Sequence, residues 1–309
     1  LLEIPSEVGN LIHLIHLDLG YNTHLKELPE SLCNLRELES LIVEGCTNLA
    51  RLPQGIHKLV NLKHLNVDGT DSLKQFPQGL AHLTRLVALE KFLPCDGSRL
   101  GWLKNLNRLS GKMELELEIR RHDSVAAVVE DAREAELWKK MHVHELRLNF
   151  HGESSSVWID VLDALKPHPN LQHLTIYNYN ASRLPGWIAS PHNQVTSISL
   201  RYCESLSTLP PLGKLPLLET LHIHGLSELD FVGREFLGIT TTTTTTSSSP
   251  SLKKLTFSFC SKWKEWEDIT AEEEHSEVAA SLLIMPCLKE LEITFCNGLR
   301  RLPHRLLRK

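Results

Sequence analysis

This chain has no excess of positive charge. Its 33 lysines and arginines face 38 aspartates and glutamates, for a net charge of −5, and its pI is near 6.4. Binding of nucleic acid through bulk positive charge is therefore excluded. No apolar run approaches the roughly 18 residues a membrane-spanning helix needs. Aromatic residues make up only 6%, so the core is expected to be built from repeated aliphatic side chains. The seven cysteines are odd in number and contain no C-x-x-C pair. That argues against a disulfide framework or a zinc ribbon and points to a reducing compartment. The single sequon, Asn180-Ala181-Ser182, is at the level of chance. No basic leader precedes an apolar stretch, and the chain opens at Leu1 without Met. It reads as a piece of a longer protein with no signal peptide. Phosphate-loop, G-x-S-x-G and H-E-x-x-H patterns are all missing, and Gly111-Lys112 and Gly213-Lys214 lack the rest of a phosphate loop. Nothing in the chain argues for an enzyme.

Leucine is present in abundance: 58 of 309 residues. The leucines are spaced regularly. Leu14-x-x-Leu17-x-Leu19-x-x-Asn22 returns as Leu38-x-x-Leu41-x-Val43-x-x-Cys46 and as Leu62-x-x-Leu65-x-Val67-x-x-Thr70. The central leucines at 17, 41, 65 and 89 are 24 residues apart. Further copies centre on Leu115, Leu146, Leu174, Ile198, Leu221, Leu255 and Leu291, about eleven in all. Residues two apart on a strand share a face, so each L-x-L turns both apolar side chains inward. The expected fold is α/β: a leucine-rich-repeat solenoid over residues 1–309, curved like a horseshoe, with a parallel sheet on its concave face. The Asn or Cys after each strand should fill the turn, with Cys46, Cys203, Cys260 and Cys296 acting as small buried donors.

The return path reads Leu25-x-x-Leu28-Pro29-x-x-Leu32-x-x-Leu35 and repeats at 49–59. Apolar residues at every third position predict 3₁₀ or irregular turns on the convex side, with a few helices. Three segments interrupt the period. Residues 116–141 are expected to hold a helical insertion, with a helix over 123–141 presenting Val125, Val128, Ala132, Ala135 and Trp138. Residues 239–250 form a Thr/Ser low-complexity loop, and residues 261–284 an acidic insertion, read as a solvated loop. At the fourth repeat Lys91 takes the second motif position, so Phe92 is expected to turn inward one residue late.

Strand alternation also names the outward residues, the candidate partner-binding set. They are His173, Thr175 and Tyr177, then Ser199 and Arg201, then His222 and His224. Thr256 and Ser258 follow, then Glu292 and Thr294. Just beyond the strands an aromatic slot holds Phe150, Tyr202, Phe259 and Phe295, against Tyr21, Gly45 and Gly69 earlier in the chain. Tyr and Arg often carry binding energy, so Tyr177, Arg201, Tyr202, Phe259 and Phe295 form a possible contact ladder. The competing expectation is that the rings merely complete the core. The pairs His142/His144 and His222/His224 lack a third ligand at a fixed offset and are read as surface histidines, not metal sites.

Several less regular strings carry a family resemblance. They are Leu28-Pro-x-x-Leu-x-x-Leu35, Leu106-Asn-Arg-Leu-Ser-Gly111, Leu165-Lys-Pro-His-Pro-Asn-Leu171 and Leu184-Pro-Gly-Trp-Ile188. With them go Leu209-Pro-Pro-Leu-Gly-Lys-Leu-Pro216, Val232-Gly-Arg-Glu-Phe-Leu-Gly238 and Trp263-Lys-Glu-Trp-Glu267. In this order they resemble the leucine-rich-repeat region of plant intracellular nucleotide-binding disease-resistance proteins of the coiled-coil, non-TIR class. The resemblance implies a cytoplasmic module that recognises a pathogen effector or a guarded host protein. It implies an intramolecular contact with a nucleotide-binding domain, where ADP or ATP would bind upstream, outside this chain. No cofactor is implied for the chain itself. The Thr/Ser tract is longer than the loop usual in that family. Two alternatives stand beside this one: the substrate-binding solenoid of an F-box-type ubiquitin-ligase adaptor, and an extracellular receptor ectodomain. The first lacks a reason for the Leu-Pro return path. The second would show a signal peptide, capping cysteines and many sequons.

Overall fold

The computed structural model describes residues 1–93, 99–118, 124–152, 156–236, 247–248, 250–267 and 283–303. The chain divides into two compact units, Leu1–Leu148 and Asn149–Lys309.

In the first unit the strands β1 (His16–Asp18), β2 (Ser40–Ile42), β3 (His64–Asn66) and β4 (Ala88–Leu89) form a parallel sheet in chain order. Leu17, Leu41, Leu65 and Leu89 lie side by side, so the 24-residue period of the sequence becomes the register of the sheet. Each turn out of the sheet closes on the Asn/Cys position, as Leu25 N–H donates to the Asn22 carbonyl at 3.0 Å and Leu49 N–H to that of Cys46 at 2.9 Å. The return path is a series of 3₁₀ turns: Glu30–Asn34, Gln54–Lys58 and Gln78–His82. Each follows a proline with extended ψ, and proline supplies a pre-set φ at a position that needs no donor. Leu32 N–H bonds the Pro29 carbonyl and Leu35 N–H that of Leu32, both at 3.1 Å. These three-residue hydrogen-bonded steps are why the apolar residues recur every third position.

Beyond β4 the chain shifts by one residue into β5 (Lys91–Phe92), which pairs with β6 (Ser110–Glu118). Phe92 is buried, in the late inward slot expected from the sequence. Residues 116–118 belong to β6, so the insertion starts later than 116. Its helix α1 covers only Val125–Glu134 and ends before Glu136, whose φ is 48°. Leu137–Lys139 then form a 3₁₀ turn, and β7 (His142–His151) follows. The expected apolar face is only partly used. Ala132 and Ala135 are buried, whereas Val125 and Trp138 are exposed. The reason is polar docking: the Asp131 carboxylate accepts the N–H groups of Leu100 (2.8 Å) and Gly101 (3.0 Å), at the start of the 3₁₀ turn Leu100–Asn105. A Cβ on Gly101 would sit 2.8 Å from Glu134 Oε2, so the approach is close. Lys140 is buried behind the helix, with Nζ donating to Asn107 Oδ1 at 2.6 Å and to the Lys104 carbonyl at 3.2 Å. Burial lowers its pKa from the ordinary 10.5 to about 8.

In the second unit β8 (His173–Tyr177), β9 (Ser197–Arg201) and β10 (Thr220–His224) run parallel in chain order. The short strand β11 (Phe231–Val232) and a two-residue β12 (Ser247–Ser248) precede β13 (Lys254–Ser258), which pairs with β10. After β14 (Glu265–Trp266) and β15 (Leu283–Ile284), β16 (Glu290–Thr294) pairs with β13. Two small parallel pairs, β11 with β14 and β12 with β15, join the return paths. Here the expectation of a core without large rings fails. Phe257 packs against Trp263 (centroids 4.4 Å apart) and Trp266 (5.7 Å), and Phe236 against Trp266 (6.2 Å). Phe150 packs edge-on against Trp158 of helix α2 (Val157–Ala164) and against Tyr179. Most of the Thr/Ser tract over 239–250 and most of the acidic stretch over 261–284 lie outside the described residues.

Candidate functional site

The five strands of the second unit align their outward residues in three rows. One runs His173, Ser197, Thr220, Lys254, Glu290. The next runs Thr175, Ser199, His222, Thr256, Glu292, and the last Tyr177, Arg201, His224, Ser258, Thr294. Alternation therefore brings the candidate residues to one face, as the sequence predicts. Two of them are covered there. Ser199 is buried under Arg201, whose Nε donates to its Oγ at 3.0 Å, and Ser258 is buried beside His224, with Oγ 2.7 Å from Nδ1. Lys254 bridges Glu290 (2.7 Å) and Glu292 (3.1 Å), and Thr256 Oγ1 also donates to Glu292. That hydrogen bonding and charge raise the Lys254 pKa and lower the Glu292 pKa. Burial, then the Lys254 and Arg201 cations, lower the pKa of His222 and favour its neutral form.

At the strand ends lies a feature that spacing alone did not reveal. The residue before each Asn/Cys position is left-handed: Tyr21 (φ 60°), Asn178 (55°), Tyr202 (55°), Phe259 (56°) and Phe295 (54°). Gly45, Gly69 and Gly225 occupy the same slot at 67°, 65° and 72°. Glycine is the default residue for that backbone. The rings are not buried in exchange: Tyr202 is 51% exposed, Phe259 49%, Phe295 64% and Tyr21 72%. Tyr202 leans over the next repeat, where a Cβ on Gly225 would lie 3.1 Å from its Cδ1. It meets His224 edge-on at 4.8 Å; His224 meets Phe259 at 5.0 Å, and Phe259 stacks on Phe295 at 4.5 Å. The result is a continuous, exposed aromatic ladder crossing β9, β10, β13 and β16.

Phe150 does not belong to it. β7 runs three residues past Leu148 before Gly152 turns, so Phe150 continues the inward alternation and is buried. Asn178 takes the slot after β8, with Nδ2 bonded to Asn149 Oδ1 at 2.8 Å. Arg201 lies over the Tyr177 ring, 5.9 Å from its centroid.

The turn residues behave as the repeat requires. Asn22 Nδ2 donates to the Leu19 carbonyl at 2.9 Å, and Cys46 Sγ to the same carbonyl at 3.0 Å. Cys203 and Cys260 are buried, and burial raises the Cys203 thiol to about 12. Cys296 is half-exposed, so it fills the slot only partly. Among the described residues no group of three or more His, Cys, Asp or Glu gathers to hold a metal ion. Among them, too, no helix is long and apolar enough to cross a membrane.

Parallel strands stacked at a fixed leucine register, returning through proline-led 3₁₀ turns, define a leucine-rich-repeat protein. Residues 100–226 match the family described as R13L1/DRL21 LRRs. The chain is 33% identical over 218 residues to disease resistance RPP13-like protein 1 of Arabidopsis thaliana, a match covering 66% of this chain and 19% of that protein. It is 35% identical over 166 residues to disease resistance protein RGA2 of Solanum bulbocastanum, covering 52% and 16%. The chain is therefore similar to the leucine-rich-repeat regions of plant disease-resistance proteins, and its matches span less than a fifth of the length of those relatives.

Proposed function

We propose that the outward face of the second unit is where a plant immune receptor reads a protein partner, a pathogen effector or a host protein that an effector has altered. On this reading the receptor is cytoplasmic, the chain restrains a nucleotide-binding domain elsewhere in the same protein, and ADP or ATP binds there. The observation that carries the reading is the use of the left-handed slot. A non-glycine residue in that conformation costs on the order of 1 kcal/mol or more. At Gly45, Gly69 and Gly225 the fold avoids that cost. At Tyr202, Phe259 and Phe295 it accepts the cost and leaves about half of each ring in water, so core packing does not repay it. Exposed rings held rigid by their backbone are suited to a protein interface, where aromatic anchors carry much of the energy.

The test is Tyr202→Gly, Phe259→Gly and Phe295→Gly in the whole receptor. The partner captured by the wild-type receptor from infected tissue is identified, and its affinity is remeasured alongside thermal stability. At least one variant should lose ~2 kcal/mol of binding, the threshold for a hot spot, while melting close to wild type. Three variants that melt early yet bind normally at matched folded protein would make the rings core residues and end the proposal.

A further inference from the structure

The three rows differ sharply in charge from one end to the other. On β13 and β16 the outward charges cancel within the sheet, Lys254 being held by Glu290 and Glu292. Other basic residues of the unit are likewise paired: Lys253 with Glu219 at 2.6 Å, Lys262 with Glu228 at 2.7 Å, and Arg234 with Glu267 at 3.1 Å. On β8, β9 and β10 the nine outward residues include no aspartate or glutamate. In their midst stands Arg201, exposed, with no carboxylate in ion-pair contact among the described residues. It is nonetheless fixed. Ser199 takes its Nε, and its guanidinium lies over the Tyr177 ring, 5.9 Å from the centroid. Its terminal nitrogens remain to bond, at the foot of the aromatic ladder that starts with Tyr202.

We infer that the partner presents a carboxylate-bearing segment, whose Asp or Glu side chain seats on Arg201 while a neighbouring apolar side chain lies on Tyr202 and Phe259. This rests on the protein-binding reading of the same face. A guanidinium whose fork is already oriented loses less freedom on taking a carboxylate than a free one, and forms the stronger, charge-assisted kind of hydrogen bond. Electrostatic complementarity of this sort selects partners by excluding the wrong charge. The single cation also decides between anions. A phosphoryl group carries nearly two negative charges and is usually met by several arginines or lysines, whereas here the next cation, Lys254, is already occupied by two carboxylates.

The experiment pans a phage-displayed library of random twelve-residue peptides against the intact protein that contains this chain. Selected peptides should be enriched in Asp or Glu next to an aromatic or aliphatic residue. Arg201→Ala should weaken them at least tenfold, and panning on Arg201→Glu should select Lys or Arg in place of the acid. Unchanged melting temperatures would exclude misfolding as the cause. Binders with no acidic preference, or acidic binders indifferent to Arg201→Ala, would overturn the inference. If such binders still weaken in Tyr202→Gly or Phe295→Gly, the face binds protein but not by this chemistry. If none depends on any of these residues, the protein-binding reading falls too. Replacing the selected acid by phosphoserine should not tighten binding, and a gain above tenfold would replace the carboxylate by a phosphate.

Discussion

The two sheets use one repeat for two purposes. In β1 to β4 the strands are two or three residues long, and the left-handed slot runs Tyr21, Gly45, Gly69. In β8, β9, β10, β13 and β16 the strands are five residues long, and the slot runs Asn178, Tyr202, Gly225, Phe259, Phe295. Tyr21 shows how an isolated ring is handled. It lies flat over Gly45, where a Cβ would meet its Cδ1 at 2.6 Å, and its hydroxyl donates to Glu44 at 2.5 Å. The rings of the second unit touch one another instead. The difference teaches that inward leucines make a repeat fold, while the residue in the slot after the strand decides whether the repeat exposes a ring. The inserted helices differ in the same spirit. α1 docks through Asp131, with Lys140 buried after the turn that follows it, whereas α2 docks through Trp158, Val161 and Leu162.

The largest expected effect tests what the two sheets share. Leu41→Ala in β2 and Leu221→Ala in β10 each empty a fully buried site and should cost about 2–5 kcal/mol apiece, measured by urea unfolding. A cost below ~1 kcal/mol at either would mean that the two inward registers are not equivalent. Next comes the polar insertion. The unfolded chain holds the Lys140 proton up to its ordinary 10.5, whereas the folded chain releases it near pH 8. Between those values the unfolded state binds more protons, so stability rises with pH there. Lys140→Met should remove that rise relative to wild type in melts from pH 7 to 10.5. Parallel curves for the two proteins would show that Lys140 is hydrated or otherwise compensated. The smallest effect bears on the slot itself. Phe295→Gly should be more stable than Phe295→Ala by about 1 kcal/mol, because only alanine keeps the left-handed penalty. Equal stabilities would show that the slot relaxes once the ring is gone.

Much of this was legible from spacing. The 24-residue step fixed which leucines are neighbours, and alternation sorted inward from outward residues correctly for His173 through Glu292. Proline positions marked the starts of the 3₁₀ turns. What spacing could not show depends on contacts between distant residues. Asp131 caps a turn about thirty residues earlier in the chain, and an acid on a helix looks solvent-facing in sequence. Phe150 occupied an aromatic slot by count, but β7 outlasts the motif and carries the ring inward. The left-handed backbone under Tyr202, Phe259 and Phe295 left one trace, the glycines at equivalent positions, since glycine marks where such a backbone is needed.

The one-to-one register of β1, β2 and β3 has a genetic corollary. Lys63 N–H bonds the Glu39 carbonyl as Glu39 N–H bonds that of Ile15, both at 2.8 Å. Unequal recombination between sites 24 residues apart therefore rejoins backbone to an equivalent backbone. It leaves every turn, proline and leucine in its place, and only the length of the outward rows changes. Sequence novelty can then accumulate at outward positions and slots while the frame that holds them is copied whole.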